Sequence, residues 1–442
     1  MTDGAATASK SVGSNPIVYR RYVLGLLLFT FTVNYIDRQM LAILLPSIKA
    51  DLQLSDTQLG FLAGTAFAVF YATMGIPMGR ITDRVNRRSL IAVVLVVWSV
   101  MTALCGVAQN FLQLMLARIG VAVGEAGFTP ASHSLISDYF PPERRAMAMS
   151  IFSSGISLGV LVGFLAGGWI NEYFSWRVAL VAVGLPGVIL AVVIRLTLRE
   201  PVRGHAEKLA DSGEVPSLLV VATHLSKRRA YRHFIAGGAL TGFAYFSVLQ
   251  WMPSFLDRTF DMGSGEIGSW LAPIMGLGGG AGALLGGRLV DSLSRRDERW
   301  YMWLPGGAAF IAAPFTLLIF LLQDPQIMLL CLALPVFLFA IHLGPMASAI
   351  QGFSPVRMRG VAVAVSLFIT NILSLGLGPQ IVGIVSDVLT PRFGADALRY
   401  AIPSVAVAAL IWSGGHFFFG ARSFSSDLIS PIRHYDQHKR PR

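Results

Sequence analysis

The sequence predicts an all-α membrane protein with twelve transmembrane helices in two pseudo-symmetric six-helix bundles. Three observations lead there. Of 442 residues, 54% are hydrophobic and only 13% are Asp, Glu, Lys or Arg, about half the roughly 25% charged fraction of soluble domains. The apolar residues fall in blocks of about 20, the length that spans a bilayer as a helix. The second half of the chain also repeats features of the first.

The apolar blocks run near 22-46, 57-79, 89-108, 111-136, 145-169, 176-197, 232-256, 266-287, 300-322, 325-351, 360-386 and 400-420. The first is too long for the core of a signal peptide, about 7 to 15 residues, so it stays as a helix. The longest polar interruption, Arg199 to Arg229, carries Lys208, Asp211, Gly213, Glu214 and the run Lys227-Arg228-Arg229, and it separates six blocks from six. The expected organisation is a tail at 1-21, a six-helix bundle at 22-198, an inter-domain loop at 199-230, a second bundle at 231-420 and a tail at 421-442.

Charge sets the orientation. With the N-terminus inside, 28 of the 35 Lys and Arg residues lie in inward segments, and only Lys49, Arg177, Arg258, Arg392 and Arg399 lie in outward ones. Basic loops are retained in the cytoplasm, so both termini and the central loop are expected there. The net charge of +11 is then topological, and nucleic acid is not an expected partner. None of the six asparagines begins an Asn-x-Ser/Thr acceptor, which points to a bacterial inner membrane.

Several chemistries are excluded on residue types. Cys105 and Cys331 both lie in apolar blocks, with neither disulfide nor metal-ligand spacing. The run Gly276 to Gly282 lacks the Lys-Ser/Thr of a phosphate loop and sits in a span, so it reads as close helix packing, as do Gly155, Gly159, Gly163 and Gly167. No cofactor, metal site or catalytic constellation is expected, so the driving force is an ion or substrate gradient. A functional monomer is expected.

The repeat is explicit. Gly79-Arg80-Ile81-Thr82-Asp83-Arg84-Val85-Asn86-Arg87-Arg88 follows the second span, and Gly287-Arg288-Leu289-Val290-Asp291-Ser292-Leu293-Ser294-Arg295-Arg296 follows the eighth. Pro142 to Arg145 before the fifth span recurs as Pro355 to Arg359 before the eleventh. Parallel six-span repeats suit a transporter whose site lies between the halves near mid-membrane.

The Gly79 to Arg88 loop resembles the signature of the major facilitator superfamily, and the resemblance extends over nearly the whole chain. The resemblance implies the major facilitator fold. It also implies a cytoplasmic gate in which Gly79, Asp83, Arg84, Arg87, Arg88 and Arg145 help to hold an outward-facing state. A carboxylate such as Asp83 beside a helix N-terminus would gain from the dipole, and arginines can clamp it. Asn86 stands where the family usually has glycine, and asparagine tolerates the left-handed turn expected there. Within the superfamily, Asn34-Tyr35-Ile36-Asp37-Arg38 and Gly124-Glu125-Ala126-Gly127-Phe128-Thr129-Pro130-Ala131 resemble the spinster branch, whose eukaryotic members move sphingosine phosphate and lysophospholipids. Asn-Tyr-x-Asp-Arg is also similar to organic anion and sugar-acid transporters.

Asp37, Arg38, Arg118 and Glu125 are the formal charges placed well inside spans. Each costs a few kcal/mol at mid-bilayer unless it faces a partner or a cavity. Asn34, Asp37 and Arg38 share one helix face, as do Arg118 and Glu125 two turns apart, so the two faces should meet across the first and fourth helices. A partner switch at Arg38 or Arg118 would make Asp37 or Glu125 take and release protons. Either arginine could also clamp an anion. The repeat-related positions in the second half, Leu332 and Phe339, are apolar. Asn34, Tyr71, Tyr245, Gln250, His342 and Asn371 are candidate cavity residues, and Phe243, Phe246, Trp251 and Phe368 a candidate apolar wall. His133, near the inner end of the fourth span, reads as a packed histidine. The expected function is an alternating-access, proton-coupled secondary transporter of a lipid-like amphiphile such as a lysophospholipid or sphingosine phosphate. The rivals are a symporter of small organic anions or sugar acids, and a drug/proton antiporter.

Overall fold

A computed structural model describes residues 16-201 and 217-429. Residues 1-15, 202-216 and 430-442, which belong to the expected tails and inter-domain loop and include Lys208, Asp211, Gly213 and Glu214, lie outside the described residues.

The spans are α1 (Pro16–Leu52), α2 (Asp56–Arg84), α3 (Arg87–Cys105), α4 (Phe111–Tyr139), α5 (Glu143–Tyr173), α6 (Trp176–Thr197), α7 (Arg229–Phe260), α8 (Ser264–Leu293), α9 (Trp300–Leu321), α10 (Pro325–Gly352), α11 (359-393) and α12 (Ala397–Ala421). The run Arg359–Ala421 is two spans because a 3-10 turn at Gly394–Asp396 reverses it. The first helix extends past its apolar block at both ends, starting at Pro16, since proline is favoured in a first turn and no breaker precedes Tyr22. Inside the inter-domain segment a short helix, Leu218–Ser226, buries Val221 and Leu225 against the second half.

Polar side chains set where many helices begin. Ser55 and Gln58 form a reciprocal capping box at the start of α2. Asn110, Ser175 and Asp324 cap α4, α6 and α10 through their side-chain oxygens. Asn86 corrects an expectation: its φ is −65°, not left-handed, and its side chain accepts from Ser89 N at 2.9 Å. It caps α3, which is work that glycine cannot do.

Glycines bring helices close. A Cβ on Gly155 or Gly163 of α5 would lie 3.2 Å from the Leu28 or Ile36 carbonyl of α1, and one on Gly159 would lie 2.7 Å from that of Thr32. The stripe spaced by four thus seats α5 on α1 along its length. Between the halves, α5 meets α8, and a Cβ on Gly276 would stand 3.0 Å from the Ser157 carbonyl. The second junction joins α2 and α11, where π-helical turns at Phe61–Thr65 and Ile372–Gly376 face each other. Thr65 Oγ1 donates to the Gly376 carbonyl at 3.1 Å.

The chain therefore has a tail end, where α1 starts and α12 finishes, and a far end, where the turns after Leu52, Phe260 and 393 lie. Hydrogen bonds and ion pairs joining the halves cluster towards the far end.

Candidate functional site

The centre of the bundle holds the charge cluster. Arg38 Nε on α1 donates to Glu125 Oε2 on α4 at 2.6 Å. The carboxylate is buried and the guanidinium nearly so. The Arg38 guanidinium carbon lies 4.4 Å from the Tyr71 ring centre, 4.9 Å from Tyr35 and 5.0 Å from Phe67. Phe67 also faces Arg118, again at 5.0 Å. Aromatic faces attract a cation without neutralising it.

Asp37, next in sequence to Arg38, points elsewhere. It is buried, accepts from Thr102 Oγ1 of α3 at 3.3 Å, and its Oδ1 has no hydrogen-bond partner among the described residues. Arg118, Arg38 and Glu125 all lie within its electrostatic range. Asn34 sits beside Glu125. The four charges expected to meet across α1 and α4 are thus together, with one carboxylate engaged by Arg38 and the other not.

The facing wall in the second half is apolar and aromatic. Tyr245 on α7 packs edge-on against Phe246 and Phe339, with ring centres 5.2 and 6.3 Å apart, and it lies within range of Tyr35 across the half boundary. Leu332 and Phe339, the counterparts of Arg118 and Glu125, are fully buried. His342 sits where α10 breaks, with Nδ1 2.6 Å from the Phe339 carbonyl. A carbonyl only accepts, so Nδ1 carries the hydrogen and Nε2 of the neutral ring is an acceptor. Asn371, half-buried, opens the π-helical turn of α11, and Gln250 is buried on α7. Trp251 is no part of an acyl wall: it is fully buried and its Nε1 donates to the Pro379 carbonyl at 2.8 Å, tying α7 to α11. Phe243, Phe246 and Phe368 are half-buried, and His133 is exposed, edge-on to Phe152.

The expected gate residues divide into two groups. Arg87 is buried and binds Asp138, Glu200 at 2.7 Å and Ser134 at 2.8 Å. Arg88 N donates to Glu200 at 3.0 Å, and Arg145 donates to the Ser137 carbonyl at 2.9 Å. These three knit the first half together at the tail end. Gly79 is half-buried, while Asp83 and Arg84 are exposed in the last turn of α2. Glu200 meets the N-terminus of α3, accepting from Arg88 N.

A second charged network lies at the far end. Asp56 accepts from Arg258 Nη1 and Nη2, both at 2.8 Å, from Lys49 at 2.5 Å and from Ser386 at 2.6 Å. Asp387 accepts from Asp56 N at 3.0 Å and Thr57 N at 2.7 Å, holding the start of α2 from the opposite half. The sequence reading counted Lys49 and Arg258 only as outward cations and passed over Asp56. The signal available was the Ser55-x-x-Gln58 capping box, which marks a helix starting at Asp56. Phe67 was also missed, although Phe67 and Tyr71 at i and i+4 share a helix face. Among the described residues no three His, Cys, Asp or Glu side chains are grouped to hold a metal ion.

Residues 27-379 match the Major Facilitator Superfamily. The chain belongs to that superfamily. It is accordingly a membrane transporter and not an enzyme. An MFS-type efflux pump of Mycolicibacterium smegmatis is 33% identical over 93% of this chain and 94% of its own. A sphingosine-1-phosphate transporter of Danio rerio is 24% identical over 94% and 87%. Among solved structures, a bacterial homologue of the human lysosomal transporter spinster, crystallised in an inward-facing and unoccupied conformation, superposes with a TM-score of 0.85 at 28% identity, covering 95% of this chain and 100% of that one. The resemblance to the spinster branch therefore rests on both sequence and structure, and the twelve-helix fold is the one expected.

Proposed function

We propose that this superfamily member is a proton-coupled transporter of an amphiphile with an anionic head, and that the conformation described is inward-facing. The observation that carries the reading is the Arg38–Glu125 pair with Asp37 beside it and only partly satisfied. An ionised carboxylate buried without a full set of partners is costly, so a proton on Asp37 relieves the cluster. If Arg38 moves to Asp37, Glu125 becomes the group that needs the proton. One arginine exchanging two carboxylates couples a helix movement to a proton.

Sidedness follows from charge. The tail end carries the basic loops and is assigned to the cytoplasm of a bacterial inner membrane. The Asp56 network then closes the extracellular side, and Asp83 and Arg84 belong to the gate on the cytoplasmic side. In this arrangement Arg38 and Arg118 hold a phosphate or carboxylate. Tyr245, Phe246 and Phe339 take the apolar tail, and His342 accepts from a hydroxyl or amine on the substrate. Asn34, Tyr71, Gln250 and Asn371 complete the polar contacts.

The test is uptake of labelled substrate into liposomes under an imposed pH gradient, offering lysophospholipid, sphingosine phosphate, a hexuronate and a cationic amphiphile in turn. The reading expects protein-dependent flux of a lysolipid or sphingosine phosphate that rises with the gradient. Flux of the hexuronate alone would overturn the amphiphile assignment. The efflux-pump relative favours a second reading, drug/proton antiport, which the cationic amphiphile arm would reveal.

A further inference from the structure

Two grooves open sideways on the bundle, and the internal repeat relates them. One lies between α3 and α6 and the other between α9 and α12, with volumes of about 630 and 520 Å³. Both lie at the far end, and each has an arginine in the first turn of the later helix, Arg177 or Arg399. The two arginines do the same local work. Arg177 Nη1 donates to the Gly106 and Ala108 carbonyls just past α3, and Arg399 Nη1 donates to the Phe320 and Leu322 carbonyls at the end of α9.

Their charges are balanced differently. Arg177 pairs with Asp51 at 2.8 Å, and the same carboxylate oxygen accepts from Trp176. Among the described residues Arg399 pairs with Asp396 at the longer distance of 3.4 Å and also lies over the Phe255 and Phe260 rings; both acids are about half exposed. One acid stands against one arginine at each groove, and Arg399 keeps the looser of the two ion pairs. Below Arg399 the walls of the second groove are Leu317 and Leu321 of α9 and Val407, Ala408 and Ile411 of α12. Leu321 and Ile411 are more than half exposed, as residues facing lipid are. From Arg399 to Ile411 is twelve residues, about 18 Å at 1.5 Å per residue, against about 15 Å for one leaflet of a hydrocarbon core of about 30 Å. A cation at headgroup depth over an apolar furrow one leaflet deep has the chemistry of a phospholipid.

We infer that the α9–α12 groove is a resident site for one anionic phospholipid of the far-end leaflet, its phosphate on Arg399 and one acyl chain lying along the groove. Gln323, Tyr400 and Ser404 line the groove around Arg399 and supply hydrogen bonds to the headgroup. The α3–α6 groove, whose arginine is held more closely by Asp51, is expected to select less for charge. This site is separate from the transport cavity and stands whatever the substrate proves to be.

The test is native mass spectrometry of the full chain titrated with phosphatidylglycerol or phosphatidylethanolamine of matched chains. Wild type should retain one phosphatidylglycerol at least fivefold more strongly than phosphatidylethanolamine. Arg399→Gln should abolish that preference, and Arg177→Gln should leave it intact. Because Arg399 also ties down the end of α9, Ala408→Trp, which fills the groove and spares the arginine, provides the independent arm and should lose the bound lipid. Equal retention of the two lipids by wild type, or a preference surviving both Arg399→Gln and Ala408→Trp, would overturn the assignment.

Discussion

The two walls of the central site come from one repeated unit and have diverged in chemistry. The first half places Asp37, Arg38, Arg118 and Glu125 against the aromatic faces of Tyr35, Phe67 and Tyr71. At the counterparts of Arg118 and Glu125 the second half buries Leu332 and Phe339, and beside them lies a buried histidine, His342, whose Nδ1 donates to the Phe339 carbonyl. A charge inside the membrane needs a partner within reach. Concentrating the charges in one half satisfies them there, whatever the other half does. Under the proposed rocking motion the halves move without breaking a buried ion pair at mid-membrane, and the pairs expected to break lie at the far end, around Asp56.

That contrast can be broken from either side. Removing one partner of a buried pair costs about 3–5 kcal/mol, so Arg38→Met should lower thermal stability by about that much. The double variant Arg38→Met/Glu125→Gln should recover most of it, since no uncompensated charge remains; a thermal melt in detergent reads both. Leu332→Arg, which copies the charge of Arg118 into the second half, should cost about 3 kcal/mol, because Leu332 is fully buried with no carboxylate provided. Gly159→Val pushes a side chain against Thr32 and Tyr35 of α1 and should cost about 1–3 kcal/mol by overpacking. The far end should respond more gently. Asp56→Asn, by loosening Arg258 and Lys49, should shift the two-state balance roughly tenfold, about 1.4 kcal/mol, toward opening there. Spin labels at Gln53 and Asp396, in a background lacking Cys105 and Cys331, should report the wider distance.

Much of this was legible in the sequence for a physical reason. A bilayer forces apolar blocks of span length and penalises charge within them, so the twelve helices and the four mid-membrane charges stand out against their surroundings. The i, i+3 and i, i+4 spacings of Asn34 with Asp37 and Arg38, and the i, i+7 spacing of Arg118 and Glu125, were enough to place α1 beside α4. Which carboxylate Arg38 chooses was not legible, because Asp37 and Glu125 both lie within its reach and only the packing of α3, through Thr102, separates them. The Asp56 network was hidden because at a water-facing end a charge needs no partner, so neither Asp56 nor Arg258 looks unusual alone. Asn86 misled through its residue type: tolerance of a left-handed turn and fitness as a helix cap belong to the same side chain, and the second prevailed.

In the proposed mechanism Glu125, paired with Arg38, is part of the proton switch. Its most direct test is proton movement into liposomes carrying purified wild-type or Glu125→Gln protein, followed with a trapped pH dye as substrate is added and corrected for protein-free liposomes. Substrate-evoked proton flux is expected in wild type, with at least a tenfold loss in Glu125→Gln while the variant still folds and still binds substrate. Undiminished proton flux in that variant would contradict this mechanism.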